Sequence, residues 1–586
     1  MGRDDSAFGW RYIAAFTSVL IVNFACALDA TTLSVALPTL SVVLGGDAIT
    51  SFWAGTSFLL TSTIWQPLFV SISQIYGRRT ILLYALSLFT IGSVLCGATG
   101  DFTLLLIGRC IQGSGVGGIL ALTEAMITDM VPLRQRGNAI AVLGAVWALG
   151  SVGGPLIGGV LAEVNRWWWI FFLNLPFAVV GFIGCLAFLR LHHITRSLGE
   201  KLLEVDFTGA FLFVASLTSF LIPITWGGVS YAWSSWHTLV PLFVGAAGLV
   251  GFWMYEAKGA IRPMIPTSLF LNRSTAIAYF LTFIHGLILW SMVYYLPLYF
   301  MAVHSYTPLL AGVAALPQTL TIVPCAMIVG IITAKTGRYR WSLWLGWALT
   351  TFGCGIMYRL DVDTPVVEWV FLLVTSGIGI GLLFPAMNLA IQASCAVEDV
   401  AIAAGLFTFF RALGQTVGVA VGGVIFQNRM QANLSTYPNL ANLSGRYSLD
   451  AVALITHINT LSSDASETLQ LKTAFANSIR VIWAVMCGFA GLGLIVTAGV
   501  KGYDLNQALV TEQGFVGREG IVGGYAGDDG ERGLNMSIGS GKTTTVISSD
   551  PSVNPEVEME RAISSSTEDI GFAREGEAPA VVGSSF

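Results

Sequence analysis

Charge is what this chain has least of. Asp, Glu, Lys and Arg make up 11% of its 586 residues, against roughly 25% in soluble domains. Over this length the deficit excludes a water-solvated globular protein, because most of the surface must face lipid. The few Lys and Arg are scattered through short segments, so no basic patch forms and nucleic acid is excluded as a partner. No Cys-x-x-Cys pair and no His/Cys cluster occurs. The eight cysteines (Cys26, Cys96, Cys110, Cys185, Cys325, Cys354, Cys395 and Cys487) all fall in apolar runs. They read as free thiols packed between helices, not as a metal site or a disulfide framework. No nucleophile–base constellation stands out either, so neither an enzyme nor a cofactor is expected. Period-2 alternation is missing too, which excludes a membrane barrel. No cleavable leader is evident, because the first apolar run, 12–36, is too long for one.

What the chain does have is hydrophobic length: 54% of its residues are apolar. Runs of about 18–25 apolar residues recur, each long enough to cross a bilayer as a helix. They lie near 12–36, 50–72, 80–98, 102–126, 138–162, 167–189, 206–225, 237–255, 275–300, 308–332, 341–358, 366–390, 399–427 and 476–499. The expected fold class is therefore an all-α integral membrane bundle of fourteen transmembrane helices. An even count puts both termini on one side. Loops on that side hold Arg78, Arg79, Arg134, Arg136, Arg190, Arg196, Lys201, Lys258, Arg262, Arg273, Lys335, Arg338 and Arg340, whereas the short loops opposite hold Arg166 and Arg359. The bias makes both termini cytoplasmic. Two glycosylation sequons, at Asn433 and Asn442, fall in a long external loop at 428–475.

Sequence echoes divide the chain. Gly150-x-x-x-Gly154-Pro155-x-x-Gly158-Gly159 recurs as Gly414-x-x-x-Gly418-x-x-x-Gly422-Gly423. Gly115-Val116-Gly117 recurs as Gly379-Ile380-Gly381, and Gly77-Arg78-Arg79 as Gly337-Arg338-Tyr339. Each echo is offset by eight spans, as in transporters built from two related halves. The organisation read from this is a six-helix half at 1–190, an inserted helix pair at 191–273, a second six-helix half at 274–500, and a tail at 501–586. The tail is rich in Gly, Ser, Thr and acid, so disorder is expected. Its Gly539-Ser540-Gly541-Lys542-Thr543 falls short of a phosphate-binding loop, because Met536 stands where the first glycine belongs.

Five ionisable residues fall inside the spans: Asp29, Arg109, Glu124, His285 and Arg411. Such groups are costly in lipid and usually functional. At about 1.5 Å per residue, Asp29 and Arg109 come to the same depth on antiparallel spans. They form either a proton-sensitive pair or a static bridge. Glu124 is either a cytoplasm-facing proton or substrate site or an interfacial acid reaching for water. Arg411 either balances a carboxylate in a cavity or caps carbonyls at the glycine-rich stretch. His285 reads as a packing histidine or, alternatively, as a proton carrier, which its titration range would suit.

Several motifs, in order, are similar to those of the fourteen-span drug:proton antiporters of the major facilitator superfamily, especially fungal toxin and multidrug exporters. Leu28-Asp29-Ala30-Thr31-Thr32-Leu33-Ser34-Val35-Ala36-Leu37-Pro38 resembles that branch's first-helix motif. Arg109-Cys110-Ile111-Gln112-Gly113-Ser114-Gly115 matches Arg-x-x-Gln-Gly-x-Gly. Asp129-Met130-Val131-Pro132, Arg136-Gly137 and Arg166-Trp167 through Asn174-Leu175-Pro176 fit as well. The run from Gly150 through Gly154, Pro155, Gly158 and Gly159 resembles the antiporter motif. The loop after the second span keeps Gly77, Arg78 and Arg79 but has Gln74 where the superfamily has an acid, which puts its usual charge lock in doubt. The resemblance implies two six-helix halves around a cavity, and export of a hydrophobic or amphipathic small molecule (a toxin, secondary metabolite or drug) against entering protons. It implies a monomer in the plasma membrane or, alternatively, the vacuolar membrane. Exchange of a charged solute and a non-transporting sensor are the competing readings.

Overall fold

The computed structural model describes residues 10–45, 48–191, 197–228, 231–260, 262–449, 451–461, 466–507 and 513. The expected disordered tail and its glycine-lysine stretch lie almost wholly outside the described residues.

Among the described residues the chain is helical and forms no β-strand. Fourteen helices reach fifteen residues or more. They are α1 (Trp10–Val43), α2 (Ala48–Tyr76), α3 (Arg78–Gly97), α4 (Phe102–Met130), α5 (Leu133–Glu163), α6 (Asn174–Phe188), α7 (Phe207–Trp226), α8 (Trp236–Lys258), α9 (Arg273–Val303), α10 (Leu316–Thr336), α11 (Arg340–Met357), α12 (Val366–Ser394), α13 (Val400–Ser435) and α14 (Ser466–Val496). Twelve helical segments are long and apolar enough to cross a membrane. The two long helices outside that set, α2 and α11, pack tightly against α4 and α12.

Lipid offers helices no hydrophobic reason to associate, so close backbone approach at small residues has to supply the packing. The glycine echoes do this in parallel. In α5 a Cβ on Gly150 would lie 2.6 Å from Ala27 Cβ, one on Gly154 would strike Thr31, and one on Gly158 would strike the Thr32 carbonyl, all on α1. In α13 a Cβ on Gly414 would meet the Phe283 carbonyl, on Gly418 the Leu287 carbonyl and on Gly422 the Tyr295 ring, all on α9. The second echo repeats the logic. Gly115 lies against α3 at Phe89 and Gly117 against α2 at Ser62, while Gly379 lies against α11 at Thr350 and Gly381 against α10 at Ile322. Gly77 and Gly337, in the third echo, take φ of 93° and 67°. Both leave their helices through a backbone conformation that disfavours any side chain.

The inserted pair sits at the flank. Phe213 of α7 meets Phe252 of α8 at 5.1 Å and Phe409 of α13 at 5.8 Å, and Trp226 meets Trp53 of α2 at 6.3 Å. The pair therefore touches both halves.

One boundary differs from the sequence reading. α13 continues to Ser435 and α14 starts at Ser466, so the interhelical segment is 436–465 and not 428–475. Polar residues lower the hydropathy here, but Phe426, Met430 and Leu434 keep a buried stripe at four-residue spacing. Asn433 thereby lies on α13, donating to Ser478 Oγ at 3.0 Å and the Ala474 carbonyl at 3.3 Å. The side-chain amide of Asn433 is thus engaged, whereas Asn442 is exposed.

We predict that Gly154→Leu and Gly418→Leu each destabilise the fold by about 1–3 kcal/mol or more through overpacking. Gly153→Leu, whose Cβ would find its nearest neighbour at 3.4 Å, should lose much less. Thermal unfolding in detergent compares the three, and equal losses at 153 and 154 would refute close approach as the cause.

Candidate functional site

Asp29 is 1% exposed and lies where several helices of the first half converge. Its Oδ2 accepts from Arg109 Nη1 at 2.7 Å. Its Oδ1 accepts from Gln112 Nε2 at 2.9 Å and from Asn174 Nδ2 at 2.7 Å. Arg109 and Gln112 stand three residues apart and so share one face of α4. Arg109 also donates to Gln112 Oε1 at 2.7 Å and, through Nε, to the Ala54 carbonyl of α2 at 3.2 Å. Its guanidinium lies 4.0 Å from the centre of the Phe58 ring. Gln112 donates further to Ser93 of α3 at 2.9 Å. One carboxylate thus has three donors, and helices α1, α2, α3, α4 and α6 are tied through it.

Arg109 forms part of the wall of a cavity of about 730 Å³ between the halves. Trp147, Trp290, Tyr294, Tyr306, Phe58 and Phe384 supply much of the remaining wall. Glu124 and His285 lie at its inner end, and Thr307, Asn459 and Lys472 at the other. Glu124 is 2% exposed. Its Oε2 accepts from Asn388 Nδ2 of α12 at 3.0 Å, a hydrogen bond across the two halves. Asn388 in turn bonds Gln392. His285 Nε2 meets the Ile380 carbonyl at 3.3 Å. Arg411 sits over the Phe384 ring, 4.6 Å from its centre.

Beyond Glu124, at the face where α1 begins, the halves close on each other. Arg136 of α5 donates to Gln392 of α12 at 3.0 Å and to the Thr128 and Val131 carbonyls at 2.8 Å each. Arg134 donates to the Ala334 and Lys335 carbonyls of α10 at 2.8 and 2.9 Å. Between them Gly137 and Gly330 bring α5 and α10 into backbone contact, so that a Cβ on Gly330 would lie 2.6 Å from the Gly137 carbonyl oxygen. The cavity is sealed at this face and extends to the loops of the opposite one.

A sequence profile of the Major Facilitator Superfamily matches residues 19–419. The chain belongs to that superfamily. It is 49% identical over 507 residues to the MFS transporter L2 of Phoma sp., covering 86% of this chain and 85% of the relative. It is 34% identical to the MFS-type efflux pump LUC4 of Fusarium sp., covering 86% and 90% of the two chains. An acurin A biosynthesis cluster MFS-type transporter of Aspergillus aculeatus is 35% identical, with 86% and 92% covered. Among solved structures, the human organic anion transporter MFSD10 superposes with a TM-score of 0.53 at 14% identity, covering 83% of this chain and 98% of that one, which speaks for the fold alone. This major facilitator protein is a multi-pass membrane transporter and not an enzyme.

The transporter brings together Asp29 and Arg109, as their matching depth suggested, and adds Gln112 and Asn174. Both additions stood in the motifs, but only the fold shows whom they serve. Glu124 faces the cavity, bonded to the residue that the repeat makes its counterpart. Arg411 is also on the cavity wall and caps no carbonyl. Gly150, Gly154, Gly158 and Gly159 are buried, whereas Pro155 is half-buried and reaches the cavity. The loop arginines differ from one another. Arg78, 3% exposed, pairs with Asp129 at 3.1 Å and is no lipid anchor. Arg79 is half-buried and donates to the Leu186 carbonyl at 2.6 Å. Arg78 thus finds its acid at the end of α4, within the first half.

Removing one partner of a buried pair strands the other charge, at about 3–5 kcal/mol. Asp29→Ala should therefore lower thermal stability sharply, while Asp29→Ala with Arg109→Leu should recover most of the loss. A double variant no more stable than the single one would disprove the stranded charge as the cause.

Proposed function

We propose that this transporter is a proton-coupled efflux antiporter that exports an amphipathic small molecule such as a secondary metabolite or toxin. The observation that carries the reading is the buried Asp29–Arg109 pair, whose arginine reaches the cavity wall. The names of the relatives, an efflux pump and a biosynthesis-cluster transporter among them, support the direction and the kind of cargo. The aromatic lining suits a molecule with a large apolar body.

In this reading the sealed, Arg-rich face is cytoplasmic, in the plasma membrane, and the cavity faces outward. An entering proton is taken up by Asp29. Its loss of charge removes the partner of Arg109 and loosens the hold of Gln112 and Asn174, which unties α4 and α6 from α1. The halves then rock so that the Arg136–Gln392 and Glu124–Asn388 bonds part and the cytoplasmic end opens. Substrate binds there, the proton leaves, and the re-formed pair favours the outward-facing arrangement. Proton and substrate stabilise opposite facings, which is the source of exchange. Each proton brings about 2.3 kcal/mol per 100 mV of membrane potential, plus the pH gradient. The Gly150-to-Gly159 stretch provides the tight, smooth α1–α5 contact that moves as one piece.

Asp29→Asn keeps the shape but takes up no proton. In vesicles it should abolish uphill export driven by a pH gradient and retain downhill movement of the same substrate. Gradient-driven accumulation at the wild-type level would sink the coupling role of Asp29.

A further inference from the structure

Arginines inside this transporter are nearly all satisfied. Arg109 holds Asp29, Arg78 holds Asp129, and Arg480 holds Asp361 at 2.8 Å. Arg136 holds Gln392 and two carbonyls. Arg411 is different. It lies within α13, half-buried on the cavity wall, and its guanidinium makes no hydrogen bond and no ion pair among the described residues. A charge kept in the membrane without a partner is expensive, and such groups mark sites of ligand or ion traffic.

The surroundings specify what would complete it. The Phe384 ring covers one face of the guanidinium, which holds the group flat and leaves its N–H edge for a ligand. A planar fork of donors matches a carboxylate or an acidic enolate. Glu124 is the one acid among the described cavity residues, and its hydrogen bond goes to Asn388 and not to Arg411. Of the cationic residues on the wall, Arg109 is ion-paired with Asp29, while Arg411 and Lys472 form no salt bridge among the described residues and Glu124 acts on Arg411 only through space. Beside Arg411 stands the Phe384 ring, Glu124 and His285 lie within electrostatic reach of it, and the wider cavity wall carries Trp147, Leu289 and Trp290.

We infer that Arg411 is the anion-recognition residue of this cavity and that the exported molecule is an amphipathic organic acid. Its acid group sits on the guanidinium, and its apolar body lies along the tryptophans. Glu124 is the internal anion that offsets the positive charge when no cargo is bound. Lys472 gives the leaving acid a second positive group at the mouth. The inference rests on the efflux reading for direction only, since recognition of the acid requires no gradient.

The test is equilibrium binding to the full-length protein in lipid nanodiscs, with 1-pyrenebutyrate and its neutral analogue 1-pyrenebutanol as probes. The part of the tryptophan-to-pyrene energy transfer that is lost in Trp147→Phe with Trp290→Phe reports their entry into the cavity, since the chain has 17 tryptophans. The wild type should favour the carboxylate by about tenfold or more. Arg411→Gln should cut that preference to about twofold or less, with the alcohol still bound as the control for folding. Glu124→Gln, which removes the competing acid, should tighten carboxylate binding several-fold and leave the alcohol unchanged. Equal affinity of the two probes for wild type, or a preference that survives Arg411→Gln, overturns the proposal. If Arg411→Gln binds neither probe, the wild-type preference and the response of Glu124→Gln decide. Selective binding without uphill export would sink the efflux reading and leave this one standing.

Discussion

The carboxylate of Asp29 is the point on which the first half depends. In lipid the helices gain nothing by hiding apolar surface from one another, and they cohere through backbone contact and a few polar bridges. Asp29 gathers three donors from α4 and α6, and Arg109 extends the network to α2 while Gln112 extends it to α3. A neutral side chain would leave Arg109 buried without a counter-charge. The placement of α1, and through Gly150, Gly154 and Gly158 that of α5, follows from this one group.

The second half repeats the contacts without the charges. The register that places Gly154 on Leu28 and Gly418 on Leu287 carries Asp29 onto Ile288, and the α4–α12 register carries Arg109 onto Leu373; both are fully buried apolar residues. The same correspondence carries Glu124 onto Asn388, to which it is bonded, and Arg411 onto Trp147, which faces the same cavity. Duplication supplied two scaffolds, and the polar chemistry then diverged. The first half holds the buried pair and the cavity acid, and the second holds the unpaired cation.

Much of this was legible in the sequence because its physics is local or periodic. Runs of apolar residues fixed the helices, and the repeated glycines marked the closest contacts. The depth of Asp29 and Arg109 anticipated their pairing. What stayed hidden involves partners that a sequence does not announce. Arg134 and Arg136 seal one face mostly by donating to main-chain carbonyls, which every residue has. Arg78 takes its acid, Asp129, from 51 residues further along the chain. The extension of α13 was masked by Gln427, Asn428 and Arg429, although Phe426, Met430 and Leu434 already carried the buried stripe. That Arg411 makes no hydrogen bond or ion pair among the described residues could be learned only by finding all its neighbours.

The seal beyond Glu124 has a consequence for the solution in which the protein works. Its cross-half contacts run from guanidinium groups to carbonyl oxygens and the Gln392 amide, with the Gly137–Gly330 backbone contact between them. Dissolved ions screen attraction between exposed charges over a length of about 10 Å at 0.1 M, but they act much less on a charge held against a dipole at contact. No acceptor in this seal carries an acid proton, so nothing among those acceptors titrates near neutrality. These contacts should therefore hold equally well in dilute and concentrated salt and at any pH near neutrality. Sensitivity to ions and acidity is left to the cavity itself.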